Sequence, residues 1–199
     1  VTAAALLVVD IQNDFCPGGA LAVEDGDAVV PGLNAAMRAA DAVILTQDWH
    51  TACHSSFASQ HPGKAPFSVV DMPYGPQVLW PNHCVGGSYG AAFHADLETE
   101  RADLIIRKGI HRDVDSYSAF FENDRTTATG LDGYLRTRGI TALTIAGLAT
   151  DFCVAYSALD AARLGYAVTV DLKLSRAIDL DGSLSAAIER MSAAGVVFT

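Results

Sequence analysis

The 199-residue chain has no G-x-G-x-x-G joining a strand to a helix, which removes the dinucleotide-binding fingerprint. Its glycine pairs, Gly18-Gly19 and Gly86-Gly87, read as turns instead. It has no C-x-x-C pair either, since Cys16, Cys53, Cys84 and Cys153 are widely spaced. Four cysteines permit two disulfides, but a chain of this size buries enough core to do without them. Reduced thiols and a cytoplasmic location are therefore expected. Long apolar runs are missing too. The longest, Ala3 to Val9, stops at Asp10, well short of the roughly 20 residues that cross a bilayer. No basic region precedes that run, so a secretory signal is not expected. Positive charge is scarce: 13 Lys and Arg against 23 Asp and Glu give a formal net charge of −10. That balance argues against nucleic acid or an anionic membrane as partner and leaves a small neutral substrate open.

What is present is globular: 50% hydrophobic and 18% charged residues, enough for one domain over 1–199. Strand-like and helix-like stretches alternate. Ala4 to Val9, Ala42 to Leu45, Asp103 to Arg107, Thr141 to Ala146, Tyr166 to Leu172 and Val196 to Phe198 read as six strands. Asp27 to Ala40 carries Val30, Leu33 and Met37 on one stripe. A second helix ends near Arg138 with Leu131, Tyr134 and Leu135 at i, i+3 and i+4. Phe152 to Leu164 reads as a third, closed by Gly165. A last one, with Asp181 as its cap, puts Leu184, Ala187, Ile188 and Met191 on one face. The repeat predicts an α/β fold, a doubly wound, mainly parallel six-stranded sheet with helices on both faces. Between Trp49 and Ala102 the rhythm fails, and five of the seven prolines lie between Pro62 and Pro81. That stretch, about 49–102, reads as an irregular insertion walling a site.

In such sheets ligands bind outside the carboxyl ends of the strands. Asp10, Asp48, Lys108 and the turn holding Cys153 all fall at that edge. A thiol in a helix's first turn faces unpaired backbone N–H groups, which favours thiolate. Asp10, at the rim of an apolar strand, is a partly desolvated carboxylate suited to accept a thiol proton and return it to a leaving amine. Lys108 beside it would hold the carboxylate in place. Asp48-Trp49-His50 places a carboxylate and an imidazole on one side of an extended strand, His83 comes from the proline-rich insertion, and His54 is a possible further ligand. Such a set suits zinc, iron or manganese. Phe15 and Trp80 are candidates to sandwich a flat substrate, or plain core residues. His61, His94 and His111 have no evident partner and read as surface histidines.

The motifs that carry these residues occur together and in order. They are Val9-Asp10-Ile11-Gln12-Asn13-Asp14-Phe15-Cys16, Gln47-Asp48-Trp49-His50, Trp80-Pro81-Asn82-His83-Cys84-Val85, Arg107-Lys108-Gly109, Asp115-Ser116-Tyr117-Ser118-Ala119-Phe120-Phe121 and Gly147-Leu148-Ala149-Thr150-Asp151-Phe152-Cys153. As a set, spanning nearly the whole chain, they resemble the nicotinamidase (pyrazinamidase) branch of the isochorismatase-like cysteine hydrolases. The resemblance implies a triad of Asp10, Lys108 and Cys153. It implies an oxyanion hole from the N–H groups of Ala149 and Cys153, with a cis Leu148–Ala149 peptide. It also implies one divalent metal ion, zinc first, with iron or manganese as alternatives. Asp48, His50 and His83 would hold it, with His54 a ligand in some relatives only. Phe15, Trp80, Tyr117 and Leu148 would line the ring site. The activity implied is metal-dependent hydrolysis of nicotinamide, and of pyrazinamide, through a Cys thioester, in pyridine nucleotide salvage. Whether the chain forms a homo-oligomer is left open. Departures are small: Val85-Gly86-Gly87-Ser88-Tyr89-Gly90 and Lys173-Leu174-Ser175 differ from the usual stretches. The alternatives are another amidohydrolase of the same superfamily, a metal-bound water as nucleophile with Cys153 structural, or a non-catalytic ring- or metal-binding module.

Overall fold

The computed structural model describes residues 3–199. The aliphatic run at the start forms β1 (Ala3–Val9), whose last five residues are buried. Such a run has no polar face to offer water, so it needs cover on both sides. The helix expected from Asp27 begins later: Gly26–Val29 is a 3-10 turn, and α1 is Val30–Ala39, with Pro31 in its first turn, where a missing N–H costs nothing. Its stripe of Val30, Leu33 and Met37 is buried, each side chain contributing about 1.5–3 kcal/mol relative to exposure.

β2 (Val43–Asp48) runs three residues further than its apolar core predicts and is buried throughout. After the insertion come β5 (Leu104–Lys108), α2 (Leu131–Thr137), β6 (Ile140–Leu148), α3 (Ala155–Arg163), β7 (Ala167–Arg176), α4 (Ser183–Ala193) and β8 (Val197–Phe198). Asp181 does not cap α4. It lies in a preceding 3-10 turn, and Gly182, with φ 83°, occupies the residue before the helix. The insertion is not wholly irregular: β3 (Val69–Met72) and β4 (Gly75–Val78) form a small antiparallel hairpin. Its strands are four residues each and one carries Pro76, so period-two alternation is too short to show.

The main sheet has the order β5-β2-β1-β6-β7-β8, and every pairing in it is parallel. From β1 the chain winds one way through β2 to β5, and from β6 it winds the other way to β8. Right-handed crossovers therefore set α1 on one face and α3 and α4 on the other. The reversal falls between β1 and β6, which makes their carboxyl ends the switch point where a crevice opens. The two strands approach closely there. A Cβ on Gly147 would sit 2.2 Å from the Val9 carbonyl oxygen, and its φ of 128° suits glycine.

Candidate active site

Parallel register does much of the assembly. Asp48 and Lys108 are paired residues at the last rungs of β2 and β5. Asp10 follows β1, turned by a φ of 51°, and Cys153 lies in the wide π-helical turn Thr150–Val154 between β6 and α3. The turn, not the first turn of α3 proper, carries the thiol. All four side chains are buried.

The Lys108 ammonium is the hub. Its Nζ lies 2.9 Å from Asp10 Oδ2, 2.5 Å from Asp48 Oδ1 and 3.4 Å from Cys153 Sγ, and it donates to the Ser116 carbonyl at 2.9 Å. Burial alone would strip its proton, but Asp10, Asp48 and Cys153 outweigh that and hold it cationic. Burial raises the Asp10 pKa, with Lys108 opposing, as expected of a base at an apolar rim. Burial would raise Asp48 too, yet Lys108 and His50 hold its carboxyl well below the usual range. Cys153 departs from the expectation of a ready thiolate. Burial pushes its thiol well up, and Asp10 and Asp48 add to that against Lys108. Two buried carboxylates beside the sulfur outweigh the helix terminus, so the resting group is a thiol.

Asp48 also faces the histidines. Its Oδ2 lies 3.5 Å from His50 Nε2 and 3.8 Å from His83 Nε2. His50 Nδ1 donates to the Gly109 carbonyl at 2.9 Å and His83 Nδ1 to that of Pro81 at 2.8 Å. Nδ1 is thereby fixed as a donor in both rings, which leaves each Nε2 facing the carboxylate. His50 Nε2 is buried with no hydrogen-bond partner among the described residues. A carboxylate oxygen and two imidazole lone pairs within 4.8 Å of one another fit a divalent metal ion with open positions left over. Gly109 makes this possible, because a Cβ there would meet the His50 ring at 2.5 Å.

His54 is not brought into that set. Its Nε2 donates to the Val114 carbonyl at 3.2 Å, while Nδ1 lies 2.8 Å from Ser56 Oγ. Burial and the neighbouring His50 lower its pKa to about 4. The ring stacks beside His50, 4.3 Å between centroids, with both nitrogens engaged. His61 and His111 also have partners, the Ser55 carbonyl and Glu122.

A narrow pocket opens over the thiol, lined by Phe15, Leu21, Asp48, Trp80, His83, Asp115, Tyr117, Ala149, Phe152, Cys153 and Ile178. Three of the four ring-site candidates are on its wall. Leu148 is not: it is fully buried, its side chain directed toward Gly26, and Ala149 across the cis peptide takes the wall position. Sequence reasoning missed several supports. Thr46 Oγ donates to Asp10 Oδ1 at 2.6 Å and accepts from the Asp10 N–H at 3.1 Å. Gln12 accepts from the Asp48 N–H and donates to its carbonyl, both at 2.8 Å. Thr46 was findable as a polar residue two before Asp48 on one strand face. Asp115 stands in a resemblance motif without an assigned role, and Leu21 gives no such signal.

The topology and the groups gathered at its switch point define a hydrolytic enzyme of the α/β class. The chain belongs to the isochorismatase family, whose domain matches residues 4–199. It is 53% identical over 192 residues to a nicotinamidase of Acinetobacter baylyi, covering 96% of this chain and 90% of that one. A solved nicotinamidase/pyrazinamidase of Acinetobacter baumanii superposes with a TM-score of 0.98 at 52% identity, covering 100% and 96% of the two chains. A pyrazinamidase of Pyrococcus horikoshii, solved in complex with zinc, gives 0.79 at 33% identity over 99% and 98%.

Proposed function

We propose that this chain acts as a nicotinamidase, hydrolysing nicotinamide to nicotinate and ammonia, and pyrazinamide in the same way. The observation that carries the reading is the single Lys108 ammonium in contact with Asp10, Asp48 and Cys153. It ties a nucleophile and its base to the carboxylate of the imidazole set beneath a pocket walled by the aromatic rings of Phe15, Trp80, Tyr117 and Phe152. The curated relative at 53% identity is itself a nicotinamidase.

In this mechanism Asp10 takes the Cys153 proton as the amide arrives, and the sulfur adds to the carboxamide carbon. The raised pKa of Asp10 suits it to that exchange, and Lys108 keeps the negative charge near the sulfur compensated. The N–H groups of Ala149 and Cys153, both on the cavity wall, hold the oxyanion. Asp10 returns the proton to the departing nitrogen, releasing ammonia and leaving a thioester. Asp10 then deprotonates a water that cleaves the thioester to nicotinate and restores the thiol. Asp48, His50 and His83 would hold a divalent ion, zinc by analogy with the Pyrococcus protein, supplying a Lewis-acid position for the ring nitrogen. The four free cysteines fit a reducing, cytoplasmic setting, where nicotinate re-enters pyridine nucleotide salvage. Ammonia release from nicotinamide by purified, metal-analysed protein tests the reading. No release above background from metal-loaded protein overturns it.

A further inference from the structure

Gln77 takes no part in the chemistry above, yet it is a polar side chain only 1% exposed, delivered by β4 of the insertion hairpin. Its Nε2 donates toward Asp115 Oδ2 at 2.7 Å, the Tyr117 hydroxyl at 2.9 Å and the Val78 carbonyl at 2.7 Å. Its Oε1 accepts from Asn123 Nδ2 and the Tyr74 hydroxyl, both at 3.2 Å. The carboxylate and the carbonyl demand a donor on one side and the Asn123 amide demands an acceptor on the other, so the amide has one orientation, its two N–H groups shared among three acceptors. The Tyr117 hydroxyl is shared with Trp80, whose Nε1 donates to it at 3.1 Å. Asp115, Tyr117 and Trp80 all line the cavity over Cys153, and the rings of Trp80, Tyr117 and Phe152 meet edge-on within 6.2 Å. One amide thus fixes the Tyr117 hydroxyl toward the hairpin and leaves the cavity its apolar ring surfaces.

We propose that Gln77 is a positioning residue that holds the aromatic wall of the cavity and so sets affinity for the substrate ring. It leaves the bond-breaking groups on the strand ends untouched, since Asp10, Lys108 and Cys153 have their own partners. The proposal rests on the nicotinamidase reading. Losing the amide leaves the buried Asp115 Oδ2 without its donor and the Tyr117 hydroxyl held by Trp80 alone, and both side chains would shift in response.

The test compares wild type with Gln77→Met, similar in length and without hydrogen-bonding groups. Nicotinate binding is read by tryptophan fluorescence, and nicotinamide turnover by ammonia release. The dissociation constant for nicotinate and KM for nicotinamide are expected to rise about tenfold, with kcat within about threefold and metal content unchanged. A merely structural role would instead lower the melting temperature and the active fraction, reducing kcat at constant KM, and that result overturns the proposal. Gln77→Glu keeps the shape but sets a carboxylate against Asp115, and should raise KM at least as far. Should Gln77→Met fail to fold by circular dichroism, Gln77→Asn carries the test, because its shorter side chain keeps the amide but withdraws it from the Tyr117 hydroxyl. Its KM should rise with kcat kept, and an unchanged KM there refutes the role. Wild-type protein without turnover removes the nicotinamidase reading and this proposal together. Normal wild-type turnover with an unaltered KM in Gln77→Met removes the Gln77 role alone.

Discussion

The two halves of the site are built by different means. One half hangs from the sheet: Asp10, Asp48, Lys108 and the Cys153 turn stand at strand ends, and backbone register brings them together. The other half comes from the long connection between β2 and β5, where His83, Trp80 and Gln77 are held by side chains reaching across to backbone. Asp14 Oδ2 accepts from the Cys84 N–H at 2.7 Å, and Gln12 and Gln47 both donate to the Ala91 carbonyl at 2.9 Å. Asp48 is the seam, with Oδ1 on Lys108 and Oδ2 facing both imidazoles. The regular half carries the proposed bond-breaking groups, and the irregular half adds Trp80 and His83 to the pocket wall above them. Reactive groups need sub-ångström placement, which a rigid sheet edge gives, whereas a ring wall can be varied without disturbing it.

Breaking the sheet half should have the largest effect. Cys153→Ala is expected to lower kcat by about 10⁴-fold or more while metal content stays normal. If the Ala variant kept substantial amidase activity by ammonia release, metal-bound water would become the leading nucleophile. The ring half is probed next, by substrate rather than by mutation. Benzamide has the carboxamide and nearly the shape of nicotinamide but no ring nitrogen. Its kcat/KM should be lower by on the order of 10³–10⁴, because a site built for a polar atom leaves its own group unpaired against an analogue. Comparable efficiency for the two amides would detach the Asp48, His50 and His83 set from substrate orientation.

The seam comes third. His83→Ala removes one of three protein ligands and should weaken metal retention by about 100-fold or more, with turnover falling in parallel and chelation of wild type giving the same loss. Full metal occupancy in the purified variant would contradict the ligand assignment. A smaller change is expected from Thr46→Val, which keeps shape and deletes the hydroxyl bonded to Asp10. About a tenfold loss of kcat/KM with metal retained is expected, read from steady-state kinetics. An unaltered kcat/KM would mean Lys108 alone suffices to aim the carboxylate.

The same division explains what the sequence made legible. Runs such as Leu6 to Val9 and Leu143 to Ala146 announce buried parallel strands, and strand ends in a doubly wound sheet point to one edge, so the sheet half could be read before any coordinates. Strand ends were underestimated where polar residues continue the ladder, as at Thr46-Gln47-Asp48 and Ser175-Arg176. The Cys153 thiol is pushed up rather than down, because a helix terminus is visible in sequence whereas full burial and two carboxylates beside the sulfur are not. In the insertion, motif resemblance points to His83 and Trp80, but nothing marks Gln77 or the hairpin. Their partners lie 38 to 46 positions away and follow no period.

The smallest effect on activity is expected where sequence and structure part over a metal ligand. The motif left His54 as a ligand in some relatives, and its ring lies against that of His50. Both its nitrogens are spent, on Val114 and on Ser56, and burial holds it neutral with a pKa lowered to about 4. It therefore reads as a spacer that keeps the His50 ring upright between Phe57 and Gly109. His54→Ala should cost stability, about 1–3 kcal/mol from the lost bonds and packing, seen as a lower melting temperature. Metal content should stay near one ion per chain, and kcat/KM should change by no more than about threefold at temperatures where the variant is folded. A variant that folds normally but has lost its metal would return His54 to the coordination sphere. It would also show that the insertion half contributes three ligands, His50, His54 and His83, and that the seam at Asp48 is drawn in the wrong place.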